Sequence, residues 1–223
     1  MSAQTHRSAL ADRINALLPQ TQCTRCGYTD CAGYAQAVAD EIADINQCPP
    51  GGQQGIDLLA ALTGRAAKGL NPVNGVEGPR TVVFINENWC IGCTLCIKAC
   101  PTDAILGGNK RMHTVIEPYC TGCELCIPVC PVDCIELENV SGEKTGWNAW
   151  SAELAQTARD RYAWHQKRTQ RAGAEHLARQ EQKAQHKLEH LAEHSKLTDP
   201  SALDKKRSVI EAALARARAA RGA

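Results

Sequence analysis

Thirteen cysteines are the residues of this 223-residue chain whose type and spacing could do chemistry. Eight of them fall in two copies of the pattern C-x2-C-x2-C-x3-C-P, in residues 90–101 and 120–131. Such crowded spacing and the odd total argue against orderly disulfide pairing and favour thiolates that bind metal in a reducing environment. Zinc sites also use C-x2-C pairs, but usually as two distant pairs without a third cysteine at the same pitch. The pattern therefore predicts iron–sulfur clusters.

The two copies are related by an offset of 30 residues, and this repeat predicts how the thiolates are shared. Three cysteines within seven residues surround three corners of a [4Fe–4S] cubane, whereas the fourth cysteine of the run ligates the other cluster. One predicted ligand set is Cys90, Cys93, Cys96 and Cys130. The other predicted set is Cys120, Cys123, Cys126 and Cys100. The odd cysteine, Cys134, has Ala104 as its repeat counterpart, so we interpret it as a buried small side chain.

Residues 81–140 resemble the 2[4Fe–4S] ferredoxins, and this resemblance implies a pseudo-twofold βαββαβ unit. The local pattern agrees with that expectation. Apolar and β-branched runs predict strands at 82–85, 104–106, 114–117 and 135–138, with a turn at 107–109.

A third group of cysteines lies near the N-terminus with the spacing C-x2-C-x4-C-x16-C. Its members are Cys23, Cys26, Cys31 and Cys48. From spacing alone these residues could hold either a third [4Fe–4S] cluster or a structural zinc ion with four thiolates.

The residues around this third group resemble the N-terminal iron–sulfur domain of the B subunit of Rnf-type electron transport complexes. The resemblance rests on Cys26-Gly27-Tyr28, on Tyr34-Ala35 and on Cys48-Pro49-Pro50-Gly51-Gly52. Thr24 stands where the family usually has Gly, and Thr29-Asp30 replaces Pro-Gly, so the loop departs from the pattern while the cysteines do not. The order of parts also matches over residues 15–140. The resemblance implies three [4Fe–4S] clusters in total.

The same resemblance implies a protein that relays single electrons within an ion-translocating ferredoxin/NAD oxidoreductase complex. Its expected partners are other subunits of that complex, or a ferredoxin or flavoprotein. A stand-alone soluble ferredoxin that serves another redox enzyme is the alternative. The sequence contains no nucleotide-binding glycine fingerprint, nucleophile elbow or convincing acid–base pair, so no catalytic residue is predicted.

Family members usually begin with a hydrophobic anchor helix, and no segment of this sequence approaches the ~18 apolar residues that a membrane span needs. We therefore expect a cytoplasmic location, with at most peripheral association with the cytoplasmic face of the inner membrane.

Composition divides the chain and gives an α+β fold class. The expected parts are a small N-terminal helical [4Fe–4S] domain (1–63), a Gly- and Pro-rich linker (64–80), the ferredoxin-like domain (81–146) and a long basic helical tail (147–223). The first 146 residues carry a net charge of −5 and the tail carries +6. Helices are predicted at 6–18, 56–63, 148–196 and from Pro200 to about Arg221.

The basic charge of the tail is compatible with three binding partners: an acidic protein surface, anionic lipid headgroups, or the acidic body of the chain itself. A structural zinc protein with a nucleic-acid-binding tail is a weaker alternative, because the tail has no stacking platform or recognised DNA-binding motif. No nucleic acid partner is expected. His186, His190 and His194 share one helical face, which we interpret as a solvated polar face.

Overall fold

The computed structural model describes residues 3–191, 193, 195–196 and 198–222. Residues up to His165 form one compact unit, and the residues from Gln166 onward form a second. Among the described residues, no helix is long and apolar enough to cross a membrane.

Three helices build the N-terminal part of the first unit: α1 (Ala3–Ala16), α2 (Cys31–Ala39) and α3 (Gly52–Thr63). They enclose an apolar core that includes Ile14, Leu18, Tyr34 and Leu59. The predicted helix at 6–18 is present but ends at Ala16, ahead of Pro19. The predicted helix at 56–63 is also present and begins earlier, at Gly52.

Asp30, one of the residues that departs from the family loop pattern, starts α2. Its Oδ1 accepts a hydrogen bond of 2.7 Å from the backbone N–H of Gly33, which is an N-cap contact. The departure therefore changes the loop chemistry but gives the helix a capping residue directly before Cys31.

The ferredoxin-like region contains four strands in two antiparallel pairs. They are β1 (Thr81–Ile85), β2 (Ile105–Gly108), β3 (Arg111–Val115) and β4 (Ile135–Asn139). β1 pairs with β4, and β2 pairs with β3. The strands predicted at 82–85 and 135–138 are present, whereas the third strand lies earlier than predicted, because Gly108 pairs directly with Arg111 and the turn falls on Asn109 and Lys110.

The expected βαββαβ pattern has its helix in only one half. α4 (Leu95–Ala99) follows the first cysteine loop, and the backbone N–H of Lys98 donates to Thr94 O at 3.2 Å. The repeat counterpart of Lys98 is Pro128, which has no N–H to donate. In the second half Ile127 N donates to Glu124 O instead, at 3.0 Å, and residues 125–129 form turns. Proline therefore breaks the pseudo-twofold symmetry that the ferredoxin resemblance implies.

Three helices follow the sheets: α5 (Gly146–Ala149), α6 (Ala152–Glu189) and α7 (Pro200–Gly222). α6 is shorter at both ends than the predicted helix at 148–196. Asp199 accepts a hydrogen bond of 3.0 Å from Ala202 N and so caps α7 at the predicted position. Within the second unit, Arg218 of α7 donates to Glu181 of α6 at 2.6 Å.

The predicted histidine face is only partly described. The rings of His186 and His190 lie with centroids 4.7 Å apart, and His194 lies outside the described residues.

Candidate iron–sulfur sites

Each of the two ligand sets predicted for the ferredoxin-like region lines one small cavity. One cavity is lined by all four cysteines of one set, together with Val83 and Ala104: Cys100, Cys120, Cys123 and Cys126. The second is lined by the other set, together with His113 and Cys134: Cys90, Cys93, Cys96 and Cys130. In each cavity three cysteines come from one copy of the repeat and the fourth from the other copy. We call them the Cys120 cavity and the Cys90 cavity.

Two repeat-related loops hold three cysteines around each cavity. Gly92 and Gly122 adopt left-handed conformations, with φ of 68° and 65°. A Cβ on Gly92 would lie 2.5 Å from the backbone N of Arg111, and a Cβ on Gly122 would lie 2.3 Å from the backbone O of Thr81. Only glycine combines this φ with such a close approach. The loops are therefore pinned against β3 and β1 respectively.

The fourth cysteine of each run lies beyond the loop that carries the other three. Cys100 follows the last residue of α4 and lines the Cys120 cavity. Its sulfur accepts a hydrogen bond of 3.2 Å from the backbone N–H of Ala104. Cys130 follows the turns of the second half and lines the Cys90 cavity.

Two thiols of the Cys120 cavity, Cys123 and Cys126, lie in surroundings that oppose a bare negative charge. Burial, reinforced by neighbouring cysteines, raises the pKa of Cys126 to about 12. Burial likewise raises the pKa of Cys123 to about 11. A metal ion reverses this effect because coordination deprotonates the thiol outright. Four crowded thiols, buried or half-buried, around a cavity are thus a donor set that fits a [4Fe–4S] cluster, whose four iron atoms are each bound by one thiolate.

The Cys90 cavity contains a candidate functional residue that the sequence analysis missed. His113 is buried, and its Nδ1 lies 3.3 Å from Cys96 Sγ. Its backbone N–H donates to Cys90 Sγ at 3.4 Å. The repeat offset of 30 offered a signal, since it matches His113 on β3 with Val83 on β1. An imidazole in one half where the other half has an aliphatic side chain marks a chemical difference between the two cavities.

Cys134 lies in the Cys90 cavity rather than in a separate part of the core. Its sulfur is 3.5 Å from Cys130 Sγ and is buried. The interpretation as a buried small side chain agrees with this burial, but the thiol also contacts a predicted ligand.

The third predicted set converges around the start of α2 and the segment before α3. Burial raises the pKa of Cys31 to about 12, with further contributions from Cys23 and Cys26. Burial also raises the pKa of Cys48, and the proximity of the other three cysteines raises it further. Gln22 orients the loop, because its Oε1 accepts a hydrogen bond of 2.9 Å from Cys31 N.

Among the residues that the structure describes, no group of three or more His, Cys, Asp or Glu side chains is arranged to hold a single metal ion. Around a zinc ion each thiolate would lie about 2.3 Å from one common point. In the two ferredoxin-like sites the cysteines instead surround a cavity.

Comparisons with known proteins agree with both kinds of site. Residues 83–137 match the family described as "4Fe-4S dicluster domain", and residues 18–50 match the family described as "Putative Fe-S cluster". A protein from Azoarcus sp. (strain BH72), named as the B subunit of an ion-translocating oxidoreductase complex, is 59% identical over 138 residues, which are 62% of this chain and 75% of the relative. This chain belongs to the family of ion-translocating oxidoreductase complex B subunits.

Two further B subunits show the same relationship. The protein from Thiobacillus denitrificans is 56% identical over 107 residues, 48% of this chain and 57% of the relative. The protein from Ectopseudomonas mendocina is 55% identical over 146 residues, 66% of this chain and 75% of the relative.

Two cysteine loops contact each other directly in this member of the B-subunit family. They are the N-terminal cysteine loop (residues 20–31) and the loop that carries Cys120, Cys123 and Cys126, which we call the Cys120 loop. Thr121 Oγ1 donates a buried hydrogen bond of 2.9 Å to Thr21 O. Arg25 and Glu124, which lie between cysteines of their respective loops, form an ion pair of 2.6 Å. The N-terminal site and the Cys120 site are therefore neighbours within the first unit.

The first turns of α6 contact both the N-terminal cysteine loop and the ferredoxin-like region of this B-subunit homologue. Arg161 Nε donates to Thr102 O at 2.6 Å, and Tyr162 OH donates to Asp30 Oδ2 at 3.0 Å. Just before the helix, the indole N–H of Trp150 donates to Pro19 O at 2.8 Å. The first turns of the predicted tail thus contact the acidic body, which was one of the three possibilities for the tail.

Proposed function

We propose that this chain relays single electrons through three [4Fe–4S] clusters as the B subunit of an Rnf-type ion-translocating ferredoxin/NAD oxidoreductase complex. The main support for this proposal is the pair of cavities, each lined by four cysteines drawn from both copies of the repeat. Bound clusters would supply one-electron chemistry. The protein supplies the thiolates, the hydrogen bonds to sulfur and the exclusion of water, which together set the potentials.

The third cluster is proposed at Cys23, Cys26, Cys31 and Cys48. The match of residues 18–50 to an Fe–S family supports it, as does the packing of Cys26 and Cys48 against the core that contains Cys31. A zinc ion at the same residues would be structural and would interrupt the relay.

The contacts between loops support an order of sites along the relay. The Thr21–Thr121 hydrogen bond and the Arg25–Glu124 ion pair join the N-terminal loop to the Cys120 loop. Crossed ligation by Cys100 and Cys130 joins the Cys120 site to the Cys90 site. The proposed order is therefore the N-terminal site, then the Cys120 site, then the Cys90 site.

Other subunits of the complex are the proposed partners. Peripheral attachment to the cytoplasmic face of the membrane through those subunits stays a prediction.

The deciding experiment measures iron, acid-labile sulfide and zinc per chain after anaerobic purification of the full chain. We expect about twelve iron and about twelve sulfide, since each cubane contributes four of each. About eight iron with one zinc would leave the ferredoxin-like sites in place and overturn the third cluster. A colourless, iron-free protein would overturn the electron-transfer function.

A further inference from the structure

The two ferredoxin-like cavities are lined by repeat-matched positions, yet their polar chemistry differs. Val83 in the Cys120 cavity corresponds to His113 in the Cys90 cavity, and Ala104 corresponds to Cys134. Both differences place a hydrogen-bonding side chain in the Cys90 cavity where the other cavity has a hydrocarbon one.

His113 is held rigidly against the sulfur atoms of its cavity. The residue is 1% exposed, and its side-chain Nδ1 lies 3.3 Å from Cys96 Sγ. The imidazole packs across Gly107, where an added Cβ would come within 2.1 Å of His113 Cδ2. A thiolate that binds iron carries no proton, so at this contact Nδ1 must carry the proton and donate it. Nε2 is buried without a hydrogen-bond partner among the described residues, so Cys96 is the polar group that fixes the ring.

The Cys120 cavity has two hydroxyls near ligand sulfurs, but the protons of both are donated to backbone carbonyls. Thr102 Oγ1 lies 3.7 Å from Cys100 Sγ and donates to Tyr119 O at 2.8 Å. Thr121 similarly donates its hydroxyl proton to Thr21 O. Reduction adds negative charge that the ligand sulfurs share, and hydrogen bonds to those sulfurs stabilise it. Backbone N–H groups reach ligand sulfurs in both cavities, but the Cys90 cavity also has the side-chain donor of His113 and is therefore better suited to the reduced state.

We propose that His113 is a positioning residue that raises the reduction potential of the cluster assigned to Cys90, Cys93, Cys96 and Cys130 above that of its repeat-related neighbour. Electrons that enter the ferredoxin-like region then favour the Cys90 site. This inference rests on the proposed function, because it requires clusters at both sites.

The test is potentiometry of the full chain, loaded with iron and sulfide and followed by electron paramagnetic resonance. His113→Leu removes the donor and keeps an apolar side chain. His113→Asn keeps an N–H donor, because the amide Nδ2 of asparagine is bonded to Cγ just as Nδ1 of histidine is. Thr114→Val alters the neighbouring exposed residue of β3 as a matched control.

We expect His113→Leu to lower one midpoint potential by an amount equal to about a tenfold change in the reduction equilibrium, or about 59 mV for one electron. His113→Asn should recover most of this shift, and Thr114→Val should leave all midpoints in place. In the unaltered protein labelled with ¹⁵N-histidine, pulsed resonance should detect a nitrogen coupled to one reduced cluster. That coupling should disappear in His113→Asn.

Unchanged midpoints in an iron-loaded His113→Leu protein would overturn the inference, as would equal shifts in the leucine and asparagine variants. If the leucine variant does not retain iron, the nitrogen coupling in the labelled protein decides. A missing histidine coupling in the labelled protein would then overturn the role of His113 while leaving the proposed function intact. Absence of iron from the unaltered protein would instead overturn the proposed function itself.

Discussion

The two halves of the ferredoxin-like region share a ligand framework but differ in the side chains around it. In both halves a glycine in a left-handed conformation pins the cysteine loop to a strand, and the fourth cysteine lines the opposite cavity. The halves differ at His113 and Val83, and at Lys98 and Pro128. Repetition of the backbone therefore places four cysteines around each cavity, and the unmatched side chains give the two cavities different polar surroundings.

The largest expected effect comes from removing a crossed ligand. Cys130→Ala should lower iron content by up to about four atoms per chain and abolish the resonance signal that carries the His113 nitrogen coupling. Cys100→Ala should remove the other signal, because its thiolate lies in the Cys120 cavity. Iron analysis combined with resonance spectra distinguishes the two variants.

Cys134→Ala is the matched control for these ligand variants, since the repeat already places Ala104 at the equivalent position. It should keep all of its iron. Loss of a cluster in this variant would give Cys134 a ligand role and break the symmetry of the two ligand sets.

Substitution of the loop glycines should affect both halves to a similar extent. Gly92→Ala and Gly122→Ala should each lower the free energy of unfolding by about 2–3 kcal/mol, because strain at positive φ adds to a clash with backbone atoms. Anaerobic chemical denaturation followed by circular dichroism measures this.

Gly142→Ala separates these two causes. Gly142 has a φ of 62°, but a Cβ there would meet nothing within 4 Å. This control should cost only about 1 kcal/mol. A cost equal to that of Gly92→Ala would show that the close approach to β3 is unimportant.

A smaller effect on the free energy of unfolding is expected from substitutions at Lys98 and Pro128, the matched positions at which one half forms a helix and the other does not. Lys98→Pro removes the hydrogen bond from Lys98 N to Thr94 O and should destabilise the protein by roughly 1–3 kcal/mol. Pro128→Ala should change stability by less than about 1 kcal/mol, because the turns of the second half do not depend on an N–H there. Equal costs in the same denaturation assay would mean that α4 contributes nothing to its half.

The smallest expected effect concerns two matched aspartates that also have positive φ, Asp103 and Asp133. Asp103 Oδ1 contacts His165 Nδ1 of α6 at 2.8 Å. Asp103→Asn should therefore lower the free energy of unfolding by about 0.5–1 kcal/mol, while Asp133→Asn should lower it less. Thermal melts of the two iron-loaded variants test the difference, and a larger loss for Asp133→Asn would contradict it.

The sequence was most informative where chemistry depends on local spacing. The cysteine runs and their offset of 30 predicted two sets of four residues, and each set lines one cavity. The local residue pattern located the first and last strands, because apolar and β-branched runs carry a short-range signal. Pro128 was visible in the sequence, but the ferredoxin resemblance led to the expectation of a second helix that the proline does not permit.

The sequence by itself thus determined the family to which the chain belongs and the two sets of cysteines that each line one cavity. Only the tertiary structure decided which sites are neighbours, since the Thr121–Thr21 hydrogen bond joins residues 100 positions apart. It also placed the first turns of α6 against the N-terminal loop, through contacts such as Tyr162 with Asp30 across 132 positions. The role of His113 likewise depends on the folding of β3 over the Cys90 loop. Such contacts arise from the packing of distant segments, and no local pattern of residue types encodes them.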